Sequence, residues 1–361
     1  MPNNEKRNRK RKGQLPKIEV VDLFCGIGGL SYGMKSKGLK IIAGFDLDKT
    51  CQYAYETNIG AKFFYRDIKT VKAEEIKSLY SKNAIKILAG CAPCQPFSSY
   101  AFKNKKKDPN KYDLLYEFGR LVKEVNPDIV TMENVSSILF FDLKSVFPDF
   151  INLLKSENYN ISYQLVYCPD YGIPQTRKRL VLLASRIGEI RLLPPTHHKG
   201  NYVNLRETIG DLPHLEAGET DPIDPLHRCR SLSPLNMKRI EATPYGGGWK
   251  DWPEDLLLDC HKKEGGKSYG SVYGRMVWEE PAPTMTTQCT SIGSGRFGHP
   301  EQNRAISARE AALIQTFPSS YCFFPDEKSV SLTKVSRYIG NAVPPRLGEI
   351  IADSILKLFN N

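Results

Sequence analysis

Four groups of residues in this sequence combine types and spacings that chemistry uses. The first is Gly90-Cys91-Ala92-Pro93-Cys94-Gln95-Pro96-Phe97-Ser98, a cysteine pair at the end of the apolar run AIKILAG. Such a pair can be redox-active, although a thioredoxin-type pair sits early in its own fold and is not followed by Gln-Pro-Phe-Ser and a lysine loop. It can be half of a zinc site, for which His227, Cys229, Cys260 and His261 are the partners on offer at spacings that fit no standard site. It can place Cys94 as a nucleophile at the carboxyl end of a parallel strand, where such sheets bind ligands. A plain buried cysteine is the bland fourth reading. The second group is Met132-Glu133-Asn134-Val135, an acid at the end of another apolar run. Alone it is a solvated charge; beside a nucleophile it is a candidate general acid. The third is Gln175-Thr176-Arg177-Lys178-Arg179. Its two arginines alternate, so in an extended segment both point into the same cleft.

The fourth group is Asp22-Leu23-Phe24-Cys25-Gly26-Ile27-Gly28-Gly29-Leu30, a glycine turn between a strand and a helix, the context of a nucleotide-type cofactor. Gly26 and Gly28 match the dinucleotide pattern, but Ser31 stands where its third glycine belongs, which argues against a nicotinamide enzyme. Asp46, ending the second strand, is placed to accept from ribose hydroxyls, and Asp67, after the third, from an adenine amino group.

Positioning these groups requires strands that end at one edge. IEVVDLF, IIAGFDLD, AIKILAGC, DIVTMENV and RLVLLAS read as buried strands. Between them, TCQYAYETN, DLLYEFGRLVKEV and LKSVFPDFINLLKS carry apolar residues three and four apart, as helices do. The alternation predicts an α/β fold with a doubly wound, mostly parallel sheet. Past Arg191 the sequence turns rich in Pro, Gly and His, with glycine clusters among aromatic and basic residues (YGGGW, KEGGKSYG, GSGRFG). A smaller, loop-rich second domain is expected there. SAREAALIQTFP reads as a short helix, and PPRLGEIIADSILKLF as an amphipathic terminal helix following a Gly-Asn-Ala-Val-Pro-Pro turn. The division is a basic tail over 1–17, a catalytic and cofactor-binding domain over 18–192, a recognition domain over 193–304, and a return segment over 305–361 whose terminal helix packs back on the catalytic domain.

The whole chain constrains function more loosely. No apolar run reaches the roughly 18 residues of a membrane span, and the polar, basic start MPNNEKRNRKRKGQLPK is no secretory signal. A soluble, cytoplasmic protein is expected. Nine scattered cysteines are not a disulfide framework. The net charge of +11 attracts polyanions, with nucleic acid the natural candidate. Charge runs such as the tail and Lys103-Asn104-Lys105-Lys106-Lys107 are usually just solvated, but the second stands close behind Cys94.

Read in order, DLFCGIGG, PCQ at Pro93 to Gln95, ENV at Glu133 to Val135, QTRKR at Gln175 to Arg179, Ser307-Ala308-Arg309-Glu310 and Gly340-Asn341-Ala342-Val343-Pro344 resemble the cytosine carbon-5 DNA methyltransferase family. Each motif is weak alone; the ordered set is highly specific. The resemblance covers all but the tail and about 195–300, and its size matches bacterial restriction-modification members. It implies S-adenosylmethionine as methyl donor, held around Phe24, Gly26, Ile27, Gly28, Gly29, Asp46, Leu47, Asp67, Ile68, Pro93, Leu114, Asn341 and Ala342. The family often has glutamate and an aromatic where Asp46 and Leu47 stand.

By the same resemblance, the Cys94 thiolate adds to carbon 6 of a cytosine flipped out of the duplex. Glu133 donates a proton to ring nitrogen 3, Arg179 holds the base carbonyl, and Arg177 assists the thiolate and orients the pocket. Gln95 to Lys107 is similar to a mobile catalytic loop whose Gln95, Ser98, Ser99, Lys103 and Lys105 meet DNA. In the second domain Arg228, Arg239, Arg275 and Arg296, with Arg230, Lys238 and Lys250, are available for bases or phosphates. A monomer on double-stranded DNA, inside a bacterial cell and paired with a companion restriction endonuclease, is the implied setting. The nearest alternative is the branch of the family acting on transfer RNA, against which the long stretch between Arg179 and Arg309 speaks. A non-catalytic DNA-binding relative would not need Cys94, Glu133 and both arginines.

Overall fold

The computed structural model describes residues 16–93, 113–139, 146–263, 269–326 and 331–359. Cys94, Gln95, Ser98, Ser99, Lys103 and Lys105 lie outside them.

Seven strands, β1 (Ile18–Leu23), β2 (Lys40–Asp46), β3 (Lys62–Tyr65), β4 (Ile85–Gly90), β5 (Ile129–Val135), β6 (Asn160–Tyr167) and β7 (Lys178–Ser185), form one sheet in the order β3-β2-β1-β4-β5-β7-β6. The pairs from β3 to β5 are parallel, and β7 is antiparallel to both β5 and β6. The central strands β1, β4 and β5 are buried over most of their length because helices cover both faces, and most of their side chains are apolar. Helices α1 (Gly29–Ser36) and α2 (Gln52–Ile59) cover one face through Leu30, Met34 and Tyr55; α3 (Ala73–Lys77), α4 (Asp113–Val125) and α5 (Val146–Ser156) cover the other through Ile76, Phe118 and Phe150. The chain order reverses between β1 and β4, so both exit at the crevice where ligands of such sheets bind.

Beyond β7 the described secondary structure is sparse. It comprises α6 (Leu205–Ile209), α7 (Pro234–Glu241), α8 (Ala308–Ile314), α9 (Leu332–Asn341) and α10 (Pro345–Leu356), with short 3-10 turns. α10 packs against α1, and the core beneath them continues through Leu226, Met276, Trp278 and Phe297. A smaller aromatic cluster holds Trp249, Trp252 and Tyr273, with His261 stacked on Trp249 at 4.1 Å between ring centres.

α9 corrects the sequence reading. Gly340 and Asn341, taken there as the start of a turn, form the last turn of this helix, which Ser331 caps through a bond from Lys334 N. Gly340 is small for packing, not for bending: a Cβ on it would strike the backbone of Thr286 and Thr287. A glycine read as a turn signal marks a close approach instead.

Candidate active site

β1 ends at Leu23, and Phe24 takes a left-handed conformation with φ 59°, unusual for a bulky residue and a mark of an over-determined site. The turn then runs through Gly26 at φ 51° and Gly28 at φ 89°, so the chain doubles back sharply into α1. A Cβ on Gly26 would meet nothing within 4 Å, so the space above the loop is open. Asp46, at the end of β2, accepts from Gly26 N and from Asp48 N, each at 2.8 Å, which fixes the carboxylate and leaves each oxygen another lone pair. Burial raises its pKa, against the pull of those N–H groups. Leu47 is 61% exposed beside it, Ile68 is buried, and half-exposed Asp67 accepts from Lys69 N at 3.0 Å. An acid fixed for hydroxyls, open space over glycine and an exposed aliphatic surface fit a ribonucleoside-type cofactor. Pro93 and Asn341 are exposed, Leu114 and Ala342 half-buried.

Ser31 explains the missing third glycine: its hydroxyl donates to Asp22 Oδ2 at 2.5 Å and lies 3.3 Å from Tyr55 Oη. Asp22 sits in β1 between Ala89 and Gly44 of the flanking strands, 1% exposed, with Oδ1 buried and unpartnered among the described residues. The only sequence signal was an acid inside an apolar run. Burial, with the nearby Asp46 charge, pushes this carboxyl up to about 7, against the Ser31 bond. Such a group contributes no penalty below its unfolded value of about 3.9, and a growing one as pH rises through about 7. Asp22→Asn is therefore expected to melt progressively higher than the parent between pH 4 and 8, by an effect on the order of a few kcal/mol at the upper end. Parallel melting profiles for the two proteins would contradict this.

At the reacting end, β4 runs beside β5 with Gly90 opposite Met132, and the Asn134 amide donates to Ala92 O at 3.4 Å. The chain that leads to Cys94 is thereby tied to the strand end carrying Glu133. Glu133 is 7% exposed and Arg179 Nε lies 2.9 Å from its Oε1, off the hydrogen-bonding direction, so that oxygen's lone pairs stay uncommitted among the described residues. Both project from the same face because β5 and β7 pair Val135 with Arg179 and Glu133 with Val181. Cys91 is the wrong member of the cysteine pair for thiolate chemistry, since burial and the Glu133 charge push its pKa well up. The zinc candidates do not gather into a site among the described residues, and Cys260 is exposed. His227 uses Nδ1 on Ser307 Oγ at 2.9 Å and Nε2 on Pro213 O at 2.8 Å, Cys229 Sγ donates to Glu216 O, and His261 is stacked on Trp249.

The expectation that both arginines point into one cleft is corrected for Arg177. Its guanidinium donates to Met285 O at 3.0 Å, Gly340 O at 3.1 Å and Ala342 O at 3.4 Å. Burial, with Arg179 alongside, pushes its pKa down to about 9, still charged at neutral pH. Gln175 and Gln315, both fully buried, complete the junction. Gln175 Nε2 donates to Gln315 Oε1 at 2.6 Å, its Oε1 accepts from Met285 N at 3.2 Å, and Gln315 Nε2 donates to Ala342 O at 2.6 Å. Arg177 thus ties the segment at Met285 to the end of α9 rather than standing free in a cleft.

Three of the arginines expected on DNA are also turned inward. Arg275 is 5% exposed and donates to the carbonyls of Thr243, His299, Gln302 and Ile240. Arg296 Nη1 donates to Gly246 O, Gly247 O and Arg275 O, and Arg239 to Leu256 O beneath Trp252 and Tyr273. In a segment without a sheet, buried carbonyls need donors from elsewhere, and the five-donor guanidinium fork supplies several at once. Arg228 and Arg230 are half-buried, while Lys238, Lys250, Lys262 and Lys263 are exposed.

The strand order, the antiparallel seventh strand and the acid-flanked glycine turn define the class: a doubly wound α/β methyltransferase of the S-adenosylmethionine-dependent kind. The comparisons narrow it. The description "C-5 cytosine-specific DNA methylase" matches residues 18–357, and the chain belongs to that family of DNA (cytosine-5) methyltransferases. It is 51% identical over 340 residues to the type II methylase M.HgiDII of Herpetosiphon aurantiacus, covering 94% of this chain and 95% of that one. It is 30% identical to the type II methyltransferase M.DdeI of Desulfomicrobium norvegicum, over 95% and 90% of the two chains. Among solved structures, a DNA modification methyltransferase encoded within an E. coli prophage superposes with a TM-score of 0.73 at 22% identity, covering 95% of this chain and all of that one. The S. pombe Dnmt2 methyltransferase superposes at 0.64 with 17% identity over 95% and 100% of the chains, a likeness of fold alone. Among the described residues no helix is long and apolar enough to cross a membrane.

Proposed function

We propose that this enzyme methylates carbon 5 of one cytosine in a defined sequence of duplex DNA, with Cys94 as nucleophile and S-adenosylmethionine as donor. The observation that carries the reading is the Glu133–Arg179 pair, buried at the strand end to which Asn134 ties the approach to Cys94. S-adenosylmethionine supplies an electrophilic methyl group; the protein's task is to make carbon 5 nucleophilic. Cys94 adds as thiolate to carbon 6. A free cysteine has a pKa of about 8.5, so the site must favour the anion, and Arg179 contributes positive charge there. Glu133 gives its proton to ring nitrogen 3 as the addition proceeds and accepts from the exocyclic amine, while Arg179 donates to the base carbonyl. Once carbon 5 has taken the methyl group, its proton is lost to solvent, the freed electron pair re-forms the carbon 5–carbon 6 double bond and expels Cys94 as thiolate, and ring nitrogen 3 returns its proton to Glu133. Because the ring faces are covered in a duplex, the target base must leave the stack, at a cost of a few kcal/mol met by contacts of the protein with the strand.

Asp46 would hold the cofactor ribose and Leu47 and Ile68 would lie against its adenine, while residues 193–304 read the sequence. Phosphate contacts fall to exposed lysines such as Lys238 and Lys250 rather than to the inward-turned arginines. The protein acts as a monomer, and the type II names of its relatives support a companion endonuclease that cuts the unmethylated site. The test is incubation with tritiated S-adenosylmethionine and either mixed-sequence duplex DNA or transfer RNA. The expected product is 5-methylcytosine in DNA only; label in transfer RNA alone would replace this reading.

A further inference from the structure

The buried junction around Arg177 also fixes the loop that follows Met285. Met285 O is held by Arg177, and the Thr286–Thr287 backbone is pressed against Gly340, one residue from Asn341. From this point Thr286, Thr287 and Gln288 emerge exposed, while Cys289 and Thr290 plunge into the core. The plunge is anchored by Thr290 Oγ1, 2.7 Å from Ser336 Oγ, and by Arg230 Nε, which donates to Thr290 Oγ1 at 3.2 Å. Backbone bonds from Cys289 N to Thr286 O, Ser291 N to Gln288 O and Ser294 N to Ser291 O hold the tip in shape. At that tip Ser294 Oγ donates to Gln288 Oε1 at 2.8 Å. A glutamine exposed on a fixed loop ordinarily pays rotamer entropy for any contact it makes. Here its carbonyl is tethered, while its amide N–H groups donate to no other described residue.

We propose that Gln288 is a specificity-determining residue of this enzyme, its amide donors reading an acceptor-bearing base, guanine first, beside the target cytosine, with Ser294 as its positioning residue. The inference rests on the proposed function above. Guanine offers O6 and N7 in the major groove, whereas cytosine offers a donor there, so an amide held donor-outward separates the two. The loop's tie to Arg177 and to the helix end carrying Asn341 places it at the cofactor rim, within reach of the base pairs flanking a flipped nucleotide.

The experiment is methylation of a duplex library randomised around a cytosine, read by sequencing after conversion of unmethylated cytosine, with the parent, Gln288→Ala, Gln288→Glu and Ser294→Ala. If the parent methylates no DNA, the functional reading itself fails. If the parent shows a defined site, Gln288→Ala should lose roughly five- to hundredfold discrimination at one position within two base pairs of the target, leaving the others intact. Gln288→Glu should shift preference there toward cytosine, and Ser294→Ala should relax the same position more weakly. An unchanged profile in Gln288→Ala overturns the proposal. If Gln288→Ala and Gln288→Glu are inactive, the Ser294→Ala profile decides: relaxation at one flanking position supports the inference, and an unchanged profile overturns it.

Discussion

Glu133→Gln is expected to lower the methylation rate at neutral pH by about a hundred- to ten-thousand-fold, the usual worth of a positioned general acid. Glutamine keeps the size of the side chain and can still bond to the base, but cannot give ring nitrogen 3 a proton. Cofactor affinity, measured by calorimetry, should be nearly unchanged, because Asp46 and the glycine turn lie on β2 and β1, away from β5. Arg179→Ala should lower the rate as well, and combining it with Glu133→Gln should cost less than the two losses multiplied, since the side chains lie 2.9 Å apart and act as a unit. A Glu133→Gln enzyme within threefold of the parent would remove Glu133 from the reaction.

The second large effect is on stability. Arg304 and Glu310 are 0% and 1% exposed and share two bonds of 2.8 Å, from Nη1 to Oε2 and from Nη2 to Oε1. Glu310 also closes the N-terminal cap of α8: its Oε2 accepts from Ser307 N at 2.6 Å, while Ser307 Oγ accepts from Glu310 N at 3.0 Å. These bonds hold its pKa down despite full burial. His299, pushed down to about 4 chiefly by burial, stays neutral, and Arg304 has no other carboxylate partner among the described residues. Glu310→Gln should therefore cost about 3 to 5 kcal/mol in denaturant unfolding, the cost of leaving a buried charge unpaired. Arg304→Met combined with Glu310→Gln should be less damaging than the sum, because no charge is then stranded. A single-variant loss under 1 kcal/mol would mean that water reaches the pair.

How much of this was legible in the sequence depends on what each residue binds. The β1, β2, β4, β5 and β7 runs were readable because strands buried on both faces are apolar almost throughout. The partnership of Glu133 with Arg179 was within reach, since Glu133 lies near the end of one strand and Arg179 near the start of another at the same edge. Arg177 was not: its partners are backbone carbonyls at Met285, Gly340 and Ala342, far along the chain, and a carbonyl has no sequence signature. The same reason misassigned Arg239, Arg275 and Arg296. Composition announces a cation without saying whether its guanidinium meets a phosphate or replaces a missing sheet. Asp22 carries no local signal of its burial, because that burial follows from Gly44 and Ala89 on neighbouring strands, and sheet order is not written locally.

The central claim is that Cys94 attacks the base, and covalent trapping tests it most directly. A duplex carrying 5-fluorocytosine at the target blocks the final loss from carbon 5, so the cysteine cannot be expelled. With S-adenosylmethionine present, the parent protein should form a protein–DNA complex that survives denaturing electrophoresis, and Cys94→Ala should form none while still binding the duplex. Absence of a complex with the parent at its own recognition site, or an equal yield from Cys94→Ala, would contradict the account.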